Sequence, residues 1–591
     1  MNNTPDTGRA PRSFHFSAAG IAEFLFWALA VIMLFLNLGS DGLRGSEGRW
    51  ADVVRLMILN DDYLHPMINF EAYFDKPLVS YWIIAGFSLL SGGEVTELLI
   101  RLPSALAGLV SLWATRLIAG RFAGKSTGIF AGWILLTVYS FAFWGRLGEA
   151  DMLNLAFSTL AVGWYVTRRE KTDFGSYLLF GLLCAVGGQT KGLSAVAVPA
   201  LAVLADLAIS GNWKKHLNWK LFAAGIVSLA VYLIPFLLAS GKKDYADNGL
   251  ALVFQENIQR YFNSLDHKQP WYAYFIHLPQ LMLPWTPILL LAIIAGIRNW
   301  KTGSQPERWI LVCIGLIFVV FSISDSKRVY YILPILPYCA VLCAVFLLST
   351  NSGIPEKIRD ILLKIYFWLI PAAAVALLGM TVFGYTLGGK IRLVRYGQTE
   401  CLHLILPVFL LTALVLLVVW QVFRHLLPSE LFPNGRTGRD FAVSAGAAAV
   451  LLIAFLDIVI PQTSEMFRTE KPFFGEIAKL AKKSNIPDDR IYFFHQNYTN
   501  GSFYLKRKQK IAILDHESDS ETVIRSPELS KLLKDMQGQR VMVIGQLRYF
   551  RKIASPALRQ QILGQLKMTE PSGPHENPKK NGKKYAVFMT E

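Results

Sequence analysis

Asp75 and Lys76 stand side by side in the stretch Glu71 to Trp82, EAYFDKPLVSYW, where a polar, irregular segment gives way to the apolar run Leu78 to Leu90. Charge at such a boundary either faces water or serves binding and catalysis, because holding it against lipid is costly. A second cluster, Arg146-Leu147-Gly148-Glu149-Ala150-Asp151, packs two acids and a guanidinium into one tight turn. Asp151 heads the next apolar run, so it is placed either to cap a helix or to serve a site. Lys191-Gly192 interrupts two apolar runs, and its ammonium can snorkel or meet a lipid phosphate. His267, in Asp266-His267-Lys268-Gln269-Pro270-Trp271, is a surface histidine or a member of a metal or substrate site. Lys327-Arg328, followed by Tyr330 and Tyr331, supplies the paired cations that clamp a phosphate. Glu47-Gly48-Arg49-Trp50 precedes the Asp75-Lys76 pair within one long loop, and a long loop between spans usually carries function.

The elements that must hold these groups are set by composition. The chain has 591 residues, 53% hydrophobic and 17% charged, and a mean hydropathy of +0.37. Spanning apolar runs recur from Ile21 to Ile460, which makes it a polytopic helical membrane protein. We expect about thirteen crossings of near ~20 apolar residues each, at 21–38, 98–119, 127–145, 151–167, 175–190, 192–209, 219–240, 273–297, 308–323, 329–349, 362–386, 404–422 and 441–460. The first is read as an uncleaved span, since the polar residues before it include Arg9 and Arg12 and no cleavage signal follows. The net charge of +17 points to lipid phosphates rather than nucleic acid in a chain of this class. The five cysteines show no metal-ligand spacing and read as core residues.

Loop charge selects the topology. If Leu78 to Leu90 lies in the interface without crossing, the basic loops with Arg121 and Lys125, Arg168 and Arg169, Lys214 and Lys215, and Arg424 to Arg439 all face the cytoplasm. Every charged cluster named above then falls on the outer face. The expected organisation is a cytoplasmic N-terminus (1–20), a transmembrane region (21–461) with an outer-face loop (39–97), and a soluble extracytoplasmic α/β domain (462–591). That last reading rests on strand-like runs (Arg490 to Phe494, Ile511 to Leu514, Val541 to Ile544, Tyr585 to Phe588) alternating with helix-like ones (Phe473 to Lys483, Pro527 to Asp535, Pro556 to Leu566). Glu570 to Lys584 reads as a loop. Acids, cations and aromatics at head-group depth suit a lipid-linked phosphosugar. A transporter or flippase of an anionic lipid is the alternative, although it would gather its ionisable residues near mid-membrane.

Taken in order, Glu47-Gly48-Arg49-Trp50, Tyr73-Phe74-Asp75-Lys76-Pro77 with Tyr81-Trp82, Arg101-Leu102-Pro103-Ser104, Asp151, Lys191-Gly192, His267 with Pro270-Trp271, and Lys327-Arg328 resemble the GT-C membrane glycosyltransferases. The likeness is to the lipid A 4-amino-4-deoxy-L-arabinose transferases first and the protein O-mannosyltransferases behind them. It implies an inverting transfer from a polyprenyl (undecaprenyl) phosphate sugar to lipid A or another envelope acceptor, on the periplasmic face of a bacterial inner membrane. It further implies that Glu47 and Asp151 flank the reacting sugar, that Lys76, Lys191 and Arg328 meet the donor phosphate, and that Asp75 and His267 can hold one divalent metal ion. No nucleotide cofactor or nucleic acid is implied, and with the site complete in one chain a monomer is expected. Where many relatives carry two consecutive acids in the first loop, the first position here is Ser46.

Overall fold

The computed structural model of the chain describes residues 18–242, 245, 259–262, 267–351, 353–387, 399–425, 429–460, 470–494, 497–514, 540–546, 566–569 and 585–590. The N-terminal residues 1–17, most of the outer loop 241–271, the helix-like run 527–535, the run from Pro556 up to residue 565, and the loop 570–584 lie outside the described residues.

Every apolar segment expected to cross the bilayer contains helix. Among the described residues, six helices are long and apolar enough to span a membrane, including Glu97–Ala123 and Trp219–Ala239. A seventh results if Ala273–Leu281 and Thr286–Arg298, bent by 117°, count as one span. The other apolar helices offer shorter apolar stretches, of 10–17 residues. One of these is Val79–Leu90, whose 12 residues rise only about 18 Å, less than the ~30 Å of a hydrocarbon core.

The chain begins with α1 (Ala18–Phe35) and enters the outer segment through α2 (Glu47–Asn60), a hairpin of β1 (Met67–Ile68) and β2 (Glu71–Ala72), and α3 (Val79–Leu90). The hairpin pairs Met67 with Ala72 and Ile68 with Glu71, and both connecting residues, Asn69 (φ 51°) and Phe70 (φ 63°), are left-handed, as a tight two-residue turn requires. Trp50, Val54, Phe74, Leu78, Tyr81 and Ile84 are buried here and pack against Tyr232 and Phe236 of Trp219–Ala239. This small core fixes the outer segment on the bundle.

Within the bundle, α4 (Glu97–Ala123) lies along α5 (Lys125–Leu136) and α7 (Asp151–Arg168), with α6 (Tyr139–Trp144) between these two in sequence. Polar residues survive in these apolar helices by bonding inward: Thr115 donates to the Ser111 carbonyl at 2.7 Å, one turn back. Two fully buried indoles are satisfied too, Trp285 by Thr137 Oγ1 at 2.8 Å and Trp309 by the Ala202 carbonyl at 2.9 Å.

Beyond the last span the chain forms a mixed five-stranded sheet, ordered β4-β3-β5-β7-β6. Its strands are β3 (Ile491–Phe494), β4 (Ala512–Leu514), β5 (Met542–Gln546), β6 (Leu566–Thr569) and β7 (Tyr585–Thr590). β3 runs parallel to β4 and β5, while β7 is antiparallel to β5 and β6. The helix Lys471–Lys483 buries Phe473, Phe474 and Ile477 against the sheet's core. The four expected strands are present within a residue or two; β6 is an addition to them, its Lys567 and Thr569 diluting the apolar alternation that marks a strand.

Candidate functional site

The outer loop, the 146–151 turn, the 190–192 turn and the segment around Arg328 converge on one cavity, with about 120 Å³ of room for water-sized groups. Its walls include Asp75, Lys76, Asp151, Lys191, His267 and Arg328, six residues that the sequence places in five separate segments. Glu47 is not among them. Ser46, Arg49, Tyr73, Tyr81, Glu149, Tyr330 and Tyr331 complete the polar lining, and sequence reasoning assigns none of them an individual role.

Asp75 accepts from the Tyr73 hydroxyl at 2.9 Å, lies 3.2 Å from Lys76 Nζ and 3.7 Å from Arg49. Burial pushes its carboxyl up, but the Lys76 charge and the Tyr73 hydrogen bond outweigh burial and hold it below the usual carboxylate range. Asp151 pairs with Lys191, whose ammonium also sits over the rings of Tyr330 (5.0 Å) and Tyr331 (4.7 Å). The 190–192 turn that presents Lys191 is shaped by Gly192, whose φ of 147° disfavours a side chain, and by Ser80 donating to the Thr190 carbonyl. Arg328 touches both the Tyr330 hydroxyl, at 2.6 Å, and His267. Its neighbour Lys327 turns inward, only 2% exposed, and donates to the Gln269 carbonyl at 3.0 Å; it is a structural cation.

Glu47, expected to flank the reacting sugar, lies behind the cavity wall and is 0% exposed. Arg101 grips both its oxygens, at 2.8 Å each, and it accepts from the Gly148 amide at 2.7 Å and the Arg44 amide at 2.8 Å. The Arg101 charge and these bonds outweigh burial and keep the carboxyl below its usual range. With both oxygens occupied, it positions the turn at Gly148, where a Cβ would come within 2.3 Å of Ile100.

That turn presents Glu149 instead. Its carboxylate accepts from Ser46, and its backbone carbonyl accepts from Ser104 Oγ at 3.0 Å. Burial first, and the Asp151 charge second, push the Glu149 carboxyl up to about 7. The signal in the sequence is two acids two residues apart in one turn, but sequence cannot say which faces inward. Arg146, from the same turn, points elsewhere: it bonds the Met33 carbonyl at 2.8 Å and Asp457 at 2.6 Å, tying α1 to the end of Arg436–Ala454.

Asp75 and His267 face the same cavity, yet the described residues bring no three His, Cys, Asp or Glu side chains together. Asp75 is already engaged by Tyr73 and Lys76, and His267 Nε2 meets a guanidinium where a metal would sit. This donor set as formed does not fit a resident metal.

A second cavity of about 240 Å³ adjoins the first and shares Lys76, Lys191 and Tyr331 with it. Its other walls are largely apolar, with Leu193, Ala197, Val320 and Phe321 from neighbouring helices.

Residues 75–238 match the family model described as dolichyl-phosphate-mannose-protein mannosyltransferase. An undecaprenyl phosphate-alpha-4-amino-4-deoxy-L-arabinose arabinosyl transferase of Yersinia enterocolitica is 27% identical over 453 residues, covering 74% of this chain and 76% of its own length. The Pectobacterium carotovorum protein of the same name is 30% identical over 378 residues, 60% of this chain and 65% of that one. In fold, the chain superimposes on ArnT from Cupriavidus metallidurans bound to undecaprenyl phosphate with a TM-score of 0.69, at 20% identity and covering 97% and 98% of the two chains. The resemblance to the GT-C membrane glycosyltransferases carried by the motifs thus holds in sequence and in fold. Within that class it resembles the aminoarabinose transferases, with the O-mannosyltransferases behind, and it is a multi-pass protein of the bacterial inner membrane.

Proposed function

We propose that the chain is an inverting glycosyltransferase that moves a sugar from a polyprenyl phosphate donor to lipid A or another envelope acceptor, at the periplasmic face. The observation that carries this is the pair of adjoining cavities: a polar one with four cations and three carboxylates, opening through Lys76 and Lys191 into an apolar one between helices. A phosphate with a sugar on one side and a long isoprenoid on the other has that shape and polarity. Undecaprenyl phosphate is the ligand in the ArnT structure of similar fold.

In this reading Lys76, Lys191 and Arg328 receive the donor phosphate, and Asp151 flanks the sugar while holding Lys191 in place. Inversion needs a single displacement at the anomeric carbon. The protein aligns acceptor and donor and neutralises the charge that grows on the departing polyprenyl phosphate. The basic loops, and about thirteen crossings, support a periplasmic site with the β3–β7 region outside the membrane as a soluble α/β domain.

The test is mass spectrometry of lipid A from cells expressing the chain, or its Asp151→Asn or Lys76→Ala variants at equal level. The expected result is an added amino-pentose, absent with both variants. Unchanged lipid A together with no new sugar on any envelope polymer would overturn the reading.

A further inference from the structure

We propose that Glu149 is the general base of the transfer, taking the proton of an acceptor O–H as that oxygen attacks the anomeric carbon. The assignment rests on the transferase reading above and adds a residue and an acceptor chemistry to it. The carboxylates at the site are not equivalent. Glu47 is spent on Arg101, Asp75 on Tyr73, Lys76 and Arg49, and Asp151 on Lys191. Glu149 alone among them has no cation within ion-pair distance among the described residues; its bonded partner is the neutral hydroxyl of Ser46. That bond falls on one oxygen, Oε1, and the other carries no hydrogen bond to the described residues. A carboxylate already neutralised by a bonded cation is a poor proton acceptor. One held by a hydroxyl, in a wall of the reaction cavity, keeps its basicity.

The surrounding charges set that basicity. From the outer loop come Glu47, Arg49, Asp75 and Lys76, from α7 Asp151, from the 190–192 turn Lys191, and from the segment 328–331 Arg328, Tyr330 and Tyr331. Burial and the two neighbouring acids dominate, so the carboxyl titrates near 7, where a base is most effective at neutral pH. In the step itself the acceptor oxygen bonds to the anomeric carbon and the bond from that carbon to the phosphate oxygen breaks. Its electron pair leaves on the polyprenyl phosphate, and the acceptor proton passes to Glu149. The acceptor must therefore bring a proton at its attacking oxygen, as a hydroxyl or a singly protonated phosphate does and a phosphate dianion does not.

The experiment uses the full chain in nanodiscs, with undecaprenyl-phosphate-linked 4-amino-4-deoxyarabinose as donor and purified lipid A as acceptor. For the wild-type chain, kcat/KM should rise about tenfold per pH unit up to a limb near 7 and then level. Glu149→Gln should lower kcat by roughly 10²- to 10⁴-fold, leave donor KM within about threefold, and abolish the limb. Glu149→Asp, the variant least disturbing to the fold, should keep the limb at a reduced rate. An active wild type whose limb and kcat persist in Glu149→Gln would overturn the assignment and leave the transferase reading intact. A wild type inactive on this and every other polyprenyl-phosphate sugar would overturn both.

Discussion

Arg101 and Glu47 meet as a closed fork, Nε to Oε1 and Nη2 to Oε2 at 2.8 Å each, with the two side chains 2% and 0% exposed. The same guanidinium binds the carbonyls of Leu38, Asp41 and Gly42 at 2.9–3.0 Å and the Asp41 carboxylate at 3.0 Å. One cation thereby holds the start of the outer loop against α4, and through Glu47 it holds the turn that presents Glu149.

Breaking this fork should cost stability before it costs chemistry. Glu47→Ala leaves Arg101 buried without its main partner, a loss of about 3–5 kcal/mol. Thermal unfolding followed in detergent should show the midpoint falling steeply, with activity lost in step with folded protein. An unchanged midpoint with a collapsed kcat would instead return Glu47 to the chemistry.

Glu149 should show the opposite sign. Its carboxyl titrates near 7 in the fold against 4.5 when unfolded, so the native state binds more protons between those values. Its contribution to stability is present below about 4.5 and is lost as pH rises through 7. Glu149→Gln should therefore be more stable than wild type at pH 8, by about 1–3 kcal/mol, with the gap closing toward pH 5. Equal unfolding midpoints for the two proteins across that range would show that Glu149 is not held against its charge.

What can be read from residue order follows from what kind of force is involved. Apolar runs and loop charge are properties of segments, so the helical bundle and the clustering of Asp75, Lys76, Asp151, Lys191, His267 and Arg328 are legible in the sequence alone. Direction is not. Whether Glu47 or Glu149 faces the cavity is decided by Arg101, 54 residues from Glu47 along the chain, and by the lack of room for a side chain at Gly148. Lys327 and Arg328 are adjacent and equally basic, yet backbone carbonyls turn one inward while an aromatic and a histidine hold the other in the site. Helix count suffers for a related reason: turns split apolar segments, as in the 117° bend between Ala273–Leu281 and Thr286–Arg298.

Lys76 sits where the polar and apolar cavities join, so in the proposed transfer it meets the donor phosphate rather than the sugar. Charge on that phosphate grows as the glycosidic bond breaks, and an ammonium there stabilises the transition state more than the bound donor. Lys76→Ala should lower kcat by about 10²-fold while raising donor KM by a smaller factor, with Lys76→Arg recovering part of the rate. Steady-state kinetics over donor concentration read both terms. A pure KM effect would mean that Lys76 only binds.

Asn69 links the outer loop to the C-terminal region by a reciprocal pair: its Nδ2 donates to the Ile511 carbonyl at 2.7 Å and its Oδ1 accepts from the Ile511 amide at 2.9 Å. Tyr504 adds a second tie, accepting from the Leu43 amide at 2.7 Å and donating to Glu97 at 3.3 Å. Both ties end on the segment that carries Glu47, Asp75 and Lys76, so the sheet region steadies the site from outside the bundle. Asn69 is 1% exposed, and Asn69→Ala strands two buried backbone groups at about 1–3 kcal/mol each. Limited proteolysis should then release the C-terminal region faster than in wild type, and kcat should fall although no cavity residue has changed. Tyr504→Phe keeps the ring packing and loses two hydrogen bonds, so the same assays should move in the same direction by less. Faster release with unaltered kcat would show that the sheet region covers the loop without positioning it.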